Sequence, residues 1–469
     1  MDIRSYFKEN TVFFVVILCV VVAKFLLTDT CFFWDSVSLI SIPANYLYET
    51  NFSTLFYPSE INLTLATLPQ VYTALVWCLF GRSLFVTHLS YLPLALMFVY
   101  HIYLLCKRFV PKQFLVYVYL FILLNTTIAV QILLLTPDLF LLAFSVWALN
   151  SLFAKKHVQL MCSLFLLATV SDRGMILSGI LILFHFILSI YRNKYIWKTT
   201  KTIFWIYLPT ILFALFVVCM QKLLSGYFFL NMDESSPWNE HWQFVDFYGF
   251  VRNIVVEFFR YIENGYIVVF MSLLLVLLFV RHPIAYKKSL VLLCGVFLLV
   301  MALCTLPFCN PTNARYFAFF FIAFSLFVAD VLIRNLSPAL AKATLVAMMS
   351  VFFISNFIVY PEKIARSWDS SFAHFPYYEL REKAQLFFAS ENIDCKDVGT
   401  TYPLLQSSKN IDLTTDERHF SSIDFEQNNY VLYTNIGNLD DETIDRIKKY
   451  PCVKTFQKNA VFMSIYKIR

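Results

Sequence analysis

The chain has 469 residues, 59% hydrophobic and only 14% charged, with mean hydropathy +0.65. A soluble domain averages roughly 45–50% apolar and 25% charged residues, so this composition excludes an ordinary soluble fold. The net charge of +6 does not indicate a nucleic-acid partner: residues 361–469 hold 14 basic and 16 acidic residues, leaving 23 and 15 in residues 1–360. Sixteen of those 23 basic residues fall in the N-terminal segment and the short turns assigned to the cytoplasm, as the positive-inside rule expects.

Arg4 and Lys8 precede an apolar run from Thr11 with no small-residue cleavage site, so the spacing predicts an uncleaved first transmembrane helix over 11–28. A long loop follows, 29–84, in which 36–51 and 69–80 carry helix-spaced apolar residues suited to the membrane surface. Helices over 85–106 and 113–134 flank the basic turn Lys107 to Lys112. A fourth starts near Pro137 and ends at Lys155-Lys156. Apolar segments 158–171 and 174–191 meet at Asp172-Arg173, a basic run Arg192 to Lys201 follows, and a helix over 203–221 opens a second long loop, 222–262. Two helices flank Arg281 to Lys288, one begins at Arg315-Tyr316, and the last covers 343–360. Along that last-but-one helix Asp330 and Arg334 are spaced to pair.

The expectation is an α-helical polytopic membrane protein with about eleven transmembrane helices. The odd count and the basic turns put residues 361–469 on the non-cytoplasmic side. That segment is alternating and charged: helices are expected over 376–392 and near 440–449, and strands over 397–402, 430–435 and 461–468. Together they make a small soluble α/β domain. None of the eleven cysteines forms a CxxC pair or joins a Cys/His cluster, which gives no zinc or haem reading. Cys395 and Cys452 could pair in an exported domain or remain thiols.

The ionisable residues outside the basic turns gather where helices meet the external face. Asp35 follows Phe32-Phe33-Trp34, Asp138 opens the fourth helix, Asp172-Arg173 joins two segments, and Arg315 opens a late helix. Charges at such depths are costly and point to function, the alternative being that each snorkels to water or pairs with a neighbour. His241, Trp238 and Trp242 in the second long loop could bind a sugar ring, against the commoner role of tryptophan as an interfacial anchor.

The order Trp34-Asp35, Leu68-Pro69, Leu79-Phe80-Gly81-Arg82-Ser83, Thr136-Pro137-Asp138-Leu139, Asp172-Arg173-Gly174 and Asn313-Ala314-Arg315-Tyr316 resembles the GT-C membrane glycosyltransferases. Within them it is most similar to the branch of protein O-mannosyltransferases and the lipid A aminoarabinose transferase. The resemblance covers about residues 1–335 and departs from the family at Ser36, where many members have a second acid, and at Thr67-Leu68, where a Lys or His often stands.

It implies a GT-C-like fold and transfer of a sugar from a polyprenyl-phosphate-linked donor to an unidentified glycan, lipid or protein acceptor. It also implies a bacterial inner membrane with a periplasmic C-terminal domain. By position Asp35 and Asp138 take the catalytic acids' places, Asp35 activating the acceptor, while Arg173 and Arg315 take those of donor-phosphate ligands. No cofactor is implied, although Asp35 could hold a divalent metal with a second ligand not identifiable. The rival expectation is a transporter or flippase for a lipid-linked or polar substrate. Against it stand only nine glycines, no evident repeat, and charges at the membrane edge.

Overall fold

The computed structural model describes residues 10–469 except 62, 64, 193–195, 227–242, 281–282 and 310–311; Arg4, Lys8, Trp238, His241 and Trp242 lie outside the described residues. The first half carries α1 (Thr11–Leu26), α2 (Ile42–Glu49), α3 (Leu68–Phe80), α4 (Leu84–Phe109), α5 (Leu115–Leu123), α6 (Thr126–Leu133), α7 (Pro137–Phe153) and α8 (His157–Ala168). It continues as α9 (Asp172–Arg192), α10 (Ile196–Ser225), α11 (Phe247–Ile262), α12 (Tyr266–Phe279), α13 (Lys288–Thr305), α14 (Ala318–Asn335) and α15 (Pro338–Ser355).

Among the described residues, six helices are long and apolar enough to cross a membrane: α4, α9, α10, α13, α14 and α15. The number rises to as many as eight if the bent pairs α5–α6 and α11–α12 each count as one span. About eleven spans would further need α1, α7 and α8, which are apolar but only 12–17 residues long. The expected surface helices of the first loop are present as α2, preceded by a π-helical turn Val37–Ser41, and α3. The expected second long loop differs. Its latter part folds as α11, because Asp246 caps the helix by accepting from Gly249 N at 2.7 Å and a run of aromatic and aliphatic residues follows.

α7 and α14 are buried around most of their circumference inside the bundle, whereas α10 and α15, also without a polar face, are largely exposed. Both breaks have local causes. Asn125 accepts from Ile128 N at 2.9 Å and starts α6 afresh, 71° from α5. Gly265, at φ +89, turns the chain 89° between α11 and α12, where a Cβ would come within 2.7 Å of Ser355 Oγ.

After α15 a strap leads to α16 (Pro376–Ser390) and a five-stranded sheet: β1 (Val398–Thr400), β2 (Ser421–Ser422), β3 (Tyr430–Thr434), β4 (Cys452–Lys458) and β5 (Val461–Lys467). The order is β2-β1-β3-β5-β4. β1 runs parallel to both neighbours, whereas β3–β5 and β4–β5 are antiparallel. Short helices α17 (Ser408–Ile411) and α18 (Asp441–Ile447) sit between strands. β1, β3, β5, α16 and α18 fall where the periodicity puts them; β2, of two residues, and the mostly exposed β4 carry too little apolar alternation to be read. Cys395 and Cys452 are both free thiols.

The sheet region packs against the first loop. Phe32 N donates to Ile411 O at 3.0 Å, Tyr402 Oη donates to Trp34 O at 2.7 Å, and Arg82 Nη2 reaches Thr414 O at 3.0 Å. Phe33 stacks on His374 at 4.2 Å, so residues 32–34 are gripped from both sides.

Candidate active site: carboxylates around Arg315

Arg315 lies in a 3-10 turn, Ala314–Phe317, at the head of α14. Asn313 sets the turn by accepting from Arg315 N at 3.1 Å. The guanidinium is buried among three carboxylates. Nη2 pairs with Asp35 Oδ2, while Nη1 lies 3.1 Å from Asp138 Oδ2 and 3.2 Å from Asp369 Oδ2. Asp138 is held from its other side by Arg173, whose Nη1 is 2.5 Å from Oδ1. The Arg173 guanidinium also lies 4.5 Å from the centre of the Tyr316 ring.

Each carboxylate reaches the cluster for a local reason. Asp138 occupies the first turn of α7, where Pro137 is preorganised for a helix start and the dipole favours an acid. Asp35 follows Trp34, whose φ of +51 is a left-handed conformation that costs a bulky side chain on the order of 1–3 kcal/mol. The stacking of Phe33 on His374 and the hydrogen bond from Tyr402 Oη to Trp34 O hold that turn and aim Asp35 at Arg315. Asp369 comes from the strap after α15. Gln131 Nε2 donates to its backbone oxygen at 2.7 Å, Asn313 Nδ2 to its Oδ1 at 2.9 Å, and Thr136 Oγ1 holds Gln131 at 2.7 Å.

The strap is pinned by buried Arg366. Its guanidinium lies between the faces of Tyr360 and Trp368, at 4.6 and 5.6 Å, and donates to Asn264 Oδ1 at 3.2 Å and to Ser371 Oγ at 2.8 Å.

Exposure separates the members. Asp138 and Asp369 side chains are 3% exposed and Arg315 only 1%, whereas Asp35 is 28% and Arg173 23% exposed. Two members therefore face the outside of the cluster and three are sealed within it. With every group ionised the cluster carries a net charge of −1, and burial pushes the Asp369 carboxyl up to about 6 against the pull of Arg315. Burial likewise pushes His374 down to about 4, leaving a neutral ring against Phe33.

Asp35, Asp138, Arg173 and Arg315, expected from scattered motifs, thus come together. Two expectations change. Arg315, expected as a phosphate ligand, directs both terminal nitrogens at carboxylates, because three acids surround it and water does not. Arg173, likewise expected as a phosphate ligand, pairs with Asp138 across the α7–α9 contact. Where Asp35 was considered for a divalent ion, the guanidinium of Arg315 occupies the cationic centre. Among the described residues no group of three His, Cys, Asp or Glu is arranged to hold a metal.

Sequence reasoning missed Asp369. The only signal was the mostly polar string Ser367 to Ser371 in the stretch after the last apolar helix. It also missed Lys24, buried on α1, whose Nζ donates to Leu133 O at 2.8 Å and so satisfies a carbonyl at the open end of α6.

No protein-family model matches the chain, and no curated protein matches it. Among solved structures the chain is similar to ArnT from Cupriavidus metallidurans, crystallised with undecaprenyl phosphate. Identity is 14%, the match covers 78% of this chain and 69% of that one, and the TM-score is 0.47. At this identity the likeness assigns no residue.

Proposed function

We propose that the protein is an integral membrane glycosyltransferase that moves a sugar from a polyprenyl-phosphate donor to an acceptor hydroxyl at the Arg315 cluster. The observation that carries the reading is the convergence of Asp35, Asp138, Asp369, Arg173 and Arg315 from five distant parts of the chain. A buried ion cluster is a poor stabiliser on its own, so its retention at one end of an apolar bundle argues for chemistry there. In the proposed orientation the basic turns face the cytoplasm of a bacterial cell. The cluster and the sheet region then face the periplasm.

In the step itself, the acceptor oxygen attacks C1 of the sugar and the bond from C1 to the phosphate oxygen breaks. The electron pair leaves with the polyprenyl phosphate. Asp35 takes the acceptor proton. Arg315 engages Asp35 through Oδ2, which leaves Oδ1 for the hydroxyl. Arg173, the more exposed cation, holds Asp138 closely through Nη1 and only at 3.5 Å through Nη2, and this looser nitrogen turns to the leaving phosphate. Arg315 serves to fix the carboxylates.

Asp35→Asn tests the assignment, because the amide keeps the shape and cannot accept the proton. Turnover should fall by about 10²–10⁴ with donor binding retained. Near-normal turnover would overturn the role of Asp35.

A second reading, a transporter for a lipid-linked substrate, is favoured by the two helix pairs bent by 71° and 89°, since broken helices are what transporters use to line a substrate path.

A further inference from the structure

α7, α9 and α14 carry Asp138, Arg173 and Arg315 at or next to their first turns. At their other ends, about 25 Å away by the length of a 17-residue helix, the bundle is different. There the ends of α4, α7 and α9 and the start of α13 line a cavity of about 670 Å3. Its walls are apolar, with Phe153 and Leu188 among them, and its polar lining is Arg108, Lys287, Lys288, Tyr191 and Ser289. Among the described residues no carboxylate lines it. A volume of this size takes a small ligand, and the lining selects one with an anionic head and an apolar body.

Ordinary explanations cover part of this charge. Arg108 Nη1 donates to Phe153 O at 3.1 Å and Lys287 Nζ to Phe109 O at 2.6 Å, both carbonyls at helix C-terminal ends, where cations are favoured. Asp330 lies behind Lys287, 3.9 Å from its Nζ, but it also holds Arg334 at 2.8 Å. The positive-inside rule accounts for the presence of Lys287 and Lys288 in this turn. Both nevertheless stand at the N-terminal end of α13, where the helix dipole opposes a cation, and Lys288 is the less engaged of the two, with its Nζ 3.5 Å from Tyr191 Oη. Two lysines at a helix N-terminus beside an arginine make sense around an anion. Basic pockets between membrane helices on the basic-turn side meet one anion in abundance, the phosphate of acidic phospholipids.

We propose that this cavity binds the phosphate of an acidic phospholipid headgroup, with Arg108, Lys287 and Lys288 as its ligands and the first acyl carbons against Phe153 and Leu188. The proposal is independent of the transferase reading, because its test reads lipid retention. The delipidated full-length chain in detergent is titrated with phosphatidylglycerol, phosphatidylcholine and inorganic phosphate by native mass spectrometry.

One phosphatidylglycerol should be retained in preference to phosphatidylcholine, and an Arg108→Gln/Lys288→Gln variant should hold it roughly thirty-fold more weakly. Competition by millimolar inorganic phosphate would place recognition in the phosphate alone. Its failure to compete would place recognition in the anchored lipid. Either supports the site. If the double variant does not fold, Lys288→Gln alone, at an exposed position, should weaken retention about five-fold and Lys288→Arg should restore it. Equal retention by wild type and variant, or equal retention of phosphatidylcholine, would overturn the proposal.

Discussion

Asp369 is the cluster carboxyl whose titration the fold shifts upward. Burial raises it to about 6 from an ordinary value near 3.8; Arg315 and Asn313 oppose the rise, while Asp35 and Asp138 add to it. A carboxyl raised on folding binds its proton more tightly in the native state. Its stabilising contribution is therefore complete below about pH 4 and is lost as pH rises through 6. Thermal unfolding in detergent should show wild type gaining stability between pH 7 and pH 5 relative to Asp369→Asn, and a constant difference would contradict the assignment.

The two arginines should separate as well. Arg173→Ala should weaken binding of a polyprenyl-phosphate donor roughly ten- to hundred-fold, since a charge-assisted phosphate contact is worth about 1.5–3 kcal/mol. Arg315→Ala should instead destabilise the fold by about 3–5 kcal/mol, because it leaves three carboxylates without their shared cation. Donor titration and denaturation of both variants check this; equal effects of the two on stability would contradict the division of roles. Asp35, Asp138, Arg173 and Arg315 were legible because each sits at a helix border in a recognisable string. Asp369 was not, since nothing local ties a strap after the last helix to Arg315, 54 positions earlier.

Helix existence was readable from apolar runs, but the way the helices meet was not. Gly174 in Asp172-Arg173-Gly174 shows why. A Cβ there would fall 2.0 Å from Leu167 O, so α9 crosses the end of α8 with backbone against backbone, and this crossing sets where Arg173 points. Nothing lies within 4 Å of the corresponding position at Gly179, five residues later in the same helix. The two substitutions should have opposite signs. Gly179→Ala should stabilise by up to about 1 kcal/mol through helix propensity, whereas Gly174→Ala should cost about 1–3 kcal/mol through overpacking and displace Arg173. Stabilisation by Gly174→Ala would contradict the close crossing. The bend at Asn125 was equally hidden, because a polar residue inside an apolar run reads as part of one span until its side chain is seen to cap a new helix. α11 reads as loop in the sequence because Arg252, Glu257 and Arg260 interrupt its apolar residues and leave no long apolar stretch.

At the scale of the whole molecule, the sequence places membrane segments by hydropathy and orients them by lysine and arginine, neither of which depends on tertiary contacts. The docking of the sheet region on the first loop depends on them entirely and left no sequence signal. Cys452, an exposed thiol on β4, offers a direct check of orientation. A membrane-impermeant maleimide should modify it from the periplasmic side of intact inner-membrane preparations, and labelling only after the membrane is opened would contradict the proposed topology.

The central claim is that the cluster around Arg315 breaks a sugar–phosphate bond instead of passing a substrate through. The measurement that tests it most directly is the mass balance of a polyprenyl-phosphate sugar in sealed proteoliposomes containing wild type or Asp35→Asn. The account predicts one polyprenyl phosphate released for each sugar transferred to acceptor by wild type, and a loss of about 10²–10⁴ in that release with Asp35→Asn. Intact lipid-linked sugar appearing on the opposite leaflet, at the same rate in both proteins and with no polyprenyl phosphate released, would contradict it.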